Sequence, residues 1–238
     1  MLRGCSFLAV YLAPLGSPLL ANIYLTPLDR ELEKRGVAFV RYADDIAIYA
    51  GSERAAQRIL ESIVKWLKKH LKLEINAAKS GVGPSDEGSL LGFRLYADGR
   101  RGVAPKAIER LKERVRKHWT GRNQTEANEH RDRWRSYLRG WWAYFAHADW
   151  RREVSDLSGW IRRHIRKWFW QRWHHPKGRM NALRKLGVKE RGVRQGWSSK
   201  GAWKVAAHAV MQQALNNEVL KKWGLGNPWD DAQAGAKA

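Results

Sequence analysis

The chain has 238 residues, 44% of them hydrophobic, with 45 Lys and Arg against 23 Asp and Glu for a formal net charge of +22. That length and apolar content support a packed core and exclude disorder throughout. No apolar run reaches the roughly 18 residues of a membrane-spanning helix, and one cysteine, Cys5, excludes an internal disulfide or a thiolate zinc site.

Taken in chain order, Met1 to Ala21 reads basic, then apolar, then small and proline-bearing, a leader-like pattern. A single early charge, Arg3, and a basic remainder with one cysteine weigh against secretion, so a cytoplasmic location is expected. Leu19, Leu20, Ile23, Tyr24 and Leu28 recur at helical spacing, with Pro27 and Gly36 bracketing the decline of that helix. Val37 to Tyr42 and Ile46 to Ala50 are β-prone runs around Ala43-Asp44-Asp45, which predicts a hairpin. Ser52 suits the N-cap of a helix whose stripe is Ala55, Ile59, Ile63, Leu67 and Leu71. Leu73 to Asn76 and Leu90 to Tyr96 read as strands, and Lys79 to Gly88 as a polar loop.

Beyond Pro105 the pattern is helical only. Stripes run through Ile108, Leu111, Val115 and Trp119, then Trp134, Leu138, Trp141, Trp142 and Phe145. A third takes Val154, Leu157, Ile161, Ile165, Trp168 and Phe169. A last helix is expected around Ala202–Leu220, capped by Ser198 or Ser199. Charge follows the same division: residues 101–200 hold 27 Lys and Arg against 9 Asp and Glu, and 13 of the 14 tryptophans lie beyond residue 100. So concentrated a positive charge beside aromatics points to a nucleic acid. An anionic membrane surface is the weaker alternative, because the apolar positions form core stripes. Arg162, Arg163, Arg166, Lys167 and Arg172 lie largely off the stripe, and Lys177, Arg179, Arg184 and Lys185 continue the charge. Trp141, Trp142, Trp160 and Trp168 are assigned to the core, while Trp170 and Trp173 are left open between packing and base stacking. His174-His175 has no partner at metal-ligand spacing.

Two adjacent aspartates at a hairpin tip, Asp44 and Asp45, call for a cation, since neighbouring like charges repel without one. Mg²⁺ takes one or two carboxylates together with water and substrate phosphates, the arrangement used for in-line phosphoryl transfer. A solvated Asp-Asp loop is the structural alternative.

Phe39-Val40-Arg41-Tyr42-Ala43-Asp44-Asp45 resembles the Y-A-D-D signature of reverse transcriptases, and its setting resembles the bacterial group II intron reverse transcriptase/maturases. Gly16 to Leu25 followed by Leu28-Asp29 is similar to that family's palm, as are Leu73 to Asn76 with Lys79-Ser80, and Leu91-Gly92-Phe93. Tyr137 to Phe145, Trp168 to Trp173, and Leu183 to Trp203 are similar to its thumb or maturase domain.

The resemblance implies an α+β partial reverse-transcriptase palm over 14–102, after an unmatched 1–13, then an all-α thumb/maturase domain over 103–229 and a tail at 230–238. It implies that Asp44 and Asp45 bind Mg²⁺ and carry catalysis. Ser17, Pro18, Asn22, Tyr42 and Lys79 would meet nucleotide or template, Leu91, Gly92 and Phe93 would form a primer grip, and Arg139 would join the RNA-binding cations. Asp29 matches a helix-end aspartate with a structural role. The implied partners are group II intron RNA and an RNA template with a DNA primer, with no membrane. The family's third metal-binding aspartate, on a strand before Ser17, and its fingers are expected upstream of Met1. The chain alone is therefore expected to be weak or inactive as an RNA-directed DNA polymerase. The alternatives are a non-catalytic intron RNA-binding splicing factor and a decayed or frame-shifted remnant.

Overall fold

A computed structural model describes residues 6–11, 18–77, 80–84, 87–96, 98–120, 126–149 and 152–230. The chain divides between Ala107 and Ile108 into two compact units.

In the first unit, β1 (Ser6–Tyr11), β2 (Ala38–Tyr42), β3 (Asp45–Ala50) and β4 (Gly81–Pro84) form an antiparallel sheet in the order β2-β3-β1-β4. Two helices, α1 (Pro18–Lys34) and α2 (Glu53–His70), supply apolar faces to its core. Strand neighbours point to opposite faces, so Leu8 and Val10 of β1 share one core with Ile46 and Ile48 of β3, joined by Leu25, Leu28 and Leu32 of α1 and Ile63 and Leu67 of α2. The hairpin and the Ser52 cap form as expected, with Ser52 Oγ accepting from the Ala55 amide at 3.2 Å. Helix α1 ends in a Schellman motif: Gly36, at φ 65°, donates to Glu33 O and Val37 donates to Leu32 O.

Several expectations are corrected here. Residues 6–11, to which the sequence reading assigns no element, form β1, an inner strand hydrogen-bonded on both sides. Residues 73–76 form no named strand, whereas Gly81–Pro84, read as loop, pairs with β1. The buried stripe of α1 is Ala21, Leu25, Leu28 and Leu32, while Leu19, Leu20, Ile23 and Tyr24 are exposed. Its N-terminal half is apolar on two sides, and only the stripe that continues to Leu32 reaches the sheet. The expected strand over Leu90–Tyr96 is broken by a tight turn at Leu91-Gly92, leaving β5 (Phe93–Leu95), which pairs with β6 (Arg101–Val103).

The second unit is helical. Its first long helix, α3 (Pro105–His118), opens with proline in the first turn, where no amide donor is needed. Then come α4 (Ala127–Phe145), α5 (Arg152–Arg172), α6 (Pro176–Lys185) and α7 (Glu190–Val193). The single last helix expected from the sequence is instead three short ones, α8 (Ala202–Ala206), α9 (Ala209–Ala214) and α10 (Asn217–Lys222). Gly201, rather than Ser198 or Ser199, occupies the N-cap of α8, and side chains of His208 and Asn216 start the next two.

The core of this unit is built on rings. Trp119 meets Trp134 and Trp168 edge-on, with centroids 5.7 and 5.5 Å apart, and His130 lies flat against Trp168 at 4.9 Å. Trp170 is fully buried and Trp173 packs against the same cluster, which resolves both toward packing. Trp229 closes the far end by donating its indole N–H to Ser158 Oγ. Among the described residues, no helix is long and apolar enough to cross a membrane.

Candidate functional site

Strands β2 and β3 are joined through Ala43 and Asp44, with Tyr42 opposite Asp45. Ala43 takes a left-handed φ of 54°, which turns the chain tightly at some cost for a residue with a Cβ. Asp44 therefore sits in the turn and Asp45 opens β3, both half-exposed. On the other side of β3, Asp45 pairs with Tyr11 of β1. The segment Ser6-Phe7-Leu8-Ala9-Val10-Tyr11 brings no carboxylate to that edge of the pair. Among the described residues there is no group of three or more His, Cys, Asp or Glu suited to a metal ion.

Arg41 anchors the turn. Its Nε and Nη2 donate to the two Asp29 carboxylate oxygens at 2.7 and 2.5 Å, and Nη1 donates to Asn22 Oδ1 at 2.8 Å and Ala43 O at 3.0 Å. Hydrogen bonding to Asp29 raises the guanidinium pKa, against an opposing contribution from burial. This fork ties α1 to the residue before Asp44. It gives Asp29 the structural part implied by the resemblance, and makes Arg41, within Phe39–Asp45, a further positioning residue of the turn. Arg41→Ala leaves a half-buried carboxylate unpaired, so a loss of about 1–3 kcal/mol is expected. Hydrogen exchange at β2 and β3 amides should accelerate accordingly, and unchanged exchange would show the fork to be dispensable.

Of the residues implied to meet nucleotide or template, Asn22 lies beside the hairpin through Arg41, and Tyr42 is exposed next to the turn. Pro18 opens α1, while Ser17 and Lys79 lie outside the described residues. Leu91, Gly92 and Phe93, implied by the resemblance to grip the primer, belong to a second tight turn. Leu90 and Phe93 exchange both backbone hydrogen bonds at 2.9 Å across Leu91 (φ 54°) and Gly92 (φ 79°), the pair of positive φ values a type I′ turn requires. Leu91 is 40% exposed. A leucine held left-handed and facing solvent carries strain of about 1–2 kcal/mol, a feature that concentrates at functional sites.

The helical unit sorts its cations. Arg163 donates Nε and Nη2 to Trp203 O at 3.1 and 3.0 Å and lies 4.0 Å over the Trp203 ring. Arg166 is buried, donates Nε to Leu215 O at 3.0 Å, and has its pKa lowered chiefly by burial. Lys167 is half-buried, and Arg179 stands 4.5 Å over Trp170; burial lowers the pKa of each. Arg172 lies 5.1 Å over Trp168 with its side chain largely in solvent, and Lys177 is exposed. Arg139 and Arg162 come together along one cleft. Arg163 and Arg166 are thus engaged with the protein's own backbone, because α8 and α9 fold back over the α5 face that carries them.

Comparison with known proteins agrees with this division of the chain. Residues 15–95 match the family described as Reverse transcriptase (RNA-dependent DNA polymerase). Residues 108–187 match the Group II intron, maturase-specific domain. No curated protein matches the chain. Reverse transcriptases generally use divalent metal ions, and a maturase-specific domain implies binding to intron RNA. With both regions in one chain and in this order, the protein belongs to the group II intron-encoded reverse transcriptase/maturases.

Proposed function

We propose that residues 14–102, within the first unit, are a partial palm, and that 103–229 is the thumb/maturase domain that grips intron RNA. Asp44 and Asp45 would hold Mg²⁺. Two adjacent, half-exposed carboxylates are a fitting donor set for an ion that keeps several waters and takes substrate phosphates as further ligands. The chemistry a bound Mg²⁺ supplies is neutralisation of charge on the transferring phosphate. The chain's own residues do the positioning. The Arg41 fork fixes the turn that carries Asp44, Asn22 and Tyr42 border the nucleotide and template, and Leu91-Gly92-Phe93 bears on the primer.

The observation that carries this reading is the carboxylate pair on a hairpin tied to α1 by Arg41 within the reverse-transcriptase match, followed by a maturase-specific region with a strong positive charge. A second reading, an intron RNA-binding splicing factor that synthesises no DNA, is favoured by β1, which faces Asp45 without a carboxylate. Two carboxylates alone should hold metal and triphosphate weakly. Primer extension on an RNA template with Mg²⁺ tests whether the carboxylate pair supports DNA synthesis in this chain. The expected result is little or no extension by this chain, with intron RNA binding unchanged by Asp44→Ala. Robust extension abolished by Asp44→Ala would establish that the chain polymerises as it stands.

A further inference from the structure

A cleft of about 1110 Å³ lies in the helical unit, with α4 as one wall and α10 and the chain onward to Asp230 as the other. Arg131, Arg135 and Arg139 recur every fourth residue along α4, so they stack on one face and line the cleft together. Arg162 of α5 and Lys221 and Lys222 of α10 complete six cations, facing only two carboxylates, Glu218 and Asp230. Asp230 is already engaged: its Oδ2 lies 3.5 Å from Arg162 Nη1 and accepts from the Asn227 backbone N–H and Nδ2 at 3.3 Å each. This latch fixes the end of the wall; on α4, Arg131 is paired with Asp132 at 2.9 Å, so the exposed Arg135 and Arg139 dominate the field of the stripe. Trp223 stands half-buried in the same wall, backed by Phe169 at 5.2 Å. The maturase-specific match ends at residue 187, so nothing in it assigns a role to this wall.

We infer that this cleft holds a single unstacked nucleotide of a structured RNA, its flanking phosphates on the α4 arginines and its base against Trp223. The inference rests on the RNA-binding reading above and deepens it. Arginine presents a planar fork of donors that matches phosphate oxygens. A ring beside such a groove is the platform on which unpaired bases stack, independent of sequence. The volume accommodates one nucleotide with its neighbouring phosphates. Recognition of RNA by side chains falls mostly on such bulged or looped bases, because the deep groove of its duplex is closed to them.

The test is an anisotropy titration of the full chain with a labelled hairpin oligoribonucleotide carrying one bulged uridine, beside the same hairpin without the bulge. The bulged RNA is expected to bind about tenfold tighter, the lower range for one stacked base. Arg135→Glu with Arg139→Glu should erase that preference and weaken bulged-RNA binding about thirtyfold or more. Arg110→Glu with Arg191→Glu, the same charge change at exposed positions elsewhere on the unit, should weaken both RNAs about equally and keep the preference. With 5-iodouridine at the bulge, irradiation of the unaltered chain should crosslink Trp223, a readout that depends on no variant. Equal binding of the two hairpins, with a crosslink elsewhere, would overturn the cleft assignment while leaving RNA binding intact. Failure of the unaltered chain to bind either RNA would overturn both readings.

Discussion

Lowering the pH from 7.5 to 5 is expected to destabilise the helical unit by on the order of 3 kcal/mol, well before its carboxylates protonate. The cause is three histidines folded into a cationic, ring-lined interior. His118 stacks on His130 with centroids 3.9 Å apart, and His164 lies between Trp160 and Trp203 at 4.3 and 4.7 Å. Burial pushes His118 and His164 down to about 4. Neighbouring positive charge acts in the same direction: His130, Arg114 and Arg133 for His118, and Lys167, Arg116 and Arg163 for His164. His130 is lowered too, by burial first and then by Arg172 and Arg133.

All three pKa values are depressed relative to the unfolded chain, near 6.5. The stability they contribute is therefore fully present above about pH 6.5 and is lost as pH falls toward 4, because the unfolded chain takes up protons that the folded one refuses. His130 and His164 are buried and His118 is half-buried, and solvent screening of the surrounding charges holds each contribution to about 1–2 kcal/mol. Tryptophan fluorescence reports the transition selectively, since 13 of the 14 tryptophans lie beyond residue 100. The melting temperature should drop by roughly 10 °C between pH 7.5 and 5. His118→Phe with His164→Phe should flatten most of that dependence. A melting temperature indifferent to pH over this range would mean that the rings are hydrated in solution.

The features legible in the sequence were those set by local pattern. The hairpin could be read because β-prone runs flank a short polar turn, and the core stripes of α3, α4 and α5 because their period is helical. The rest depends on distant partners. Strand β1 hides in a leader-like segment, and β4 is Gly-Val-Gly-Pro, with too few side chains to carry a period. The arginines of α5 look alike in sequence, yet Arg163 and Arg166 are committed inward by carbonyls 40 and 49 residues away. Arg131, Arg135 and Arg139 gave a signal, a repeat every fourth residue, that becomes meaningful only once α10 forms the opposite wall. At the hairpin, the aspartate pair was plain, whereas the fork that holds it needed Arg41 and Asp29 brought together across 12 residues of sequence.

The proposed grip on RNA runs through the cations of the helical unit. With about six phosphates neutralised, affinity should fall roughly a thousandfold between 50 and 200 mM salt, a loss of about 4 kcal/mol. Residues such as Arg135, Arg139, Arg172 and Lys177 remain on the surface to make those contacts, while Arg163 and Arg166 do not. The measurement is the dissociation constant of a structured group II intron RNA fragment across that salt range, for the unaltered chain and for Asp44→Ala. A log–log slope near −5 is expected for both proteins. A slope near zero, or binding that disappears with Asp44→Ala, would contradict the proposed grip.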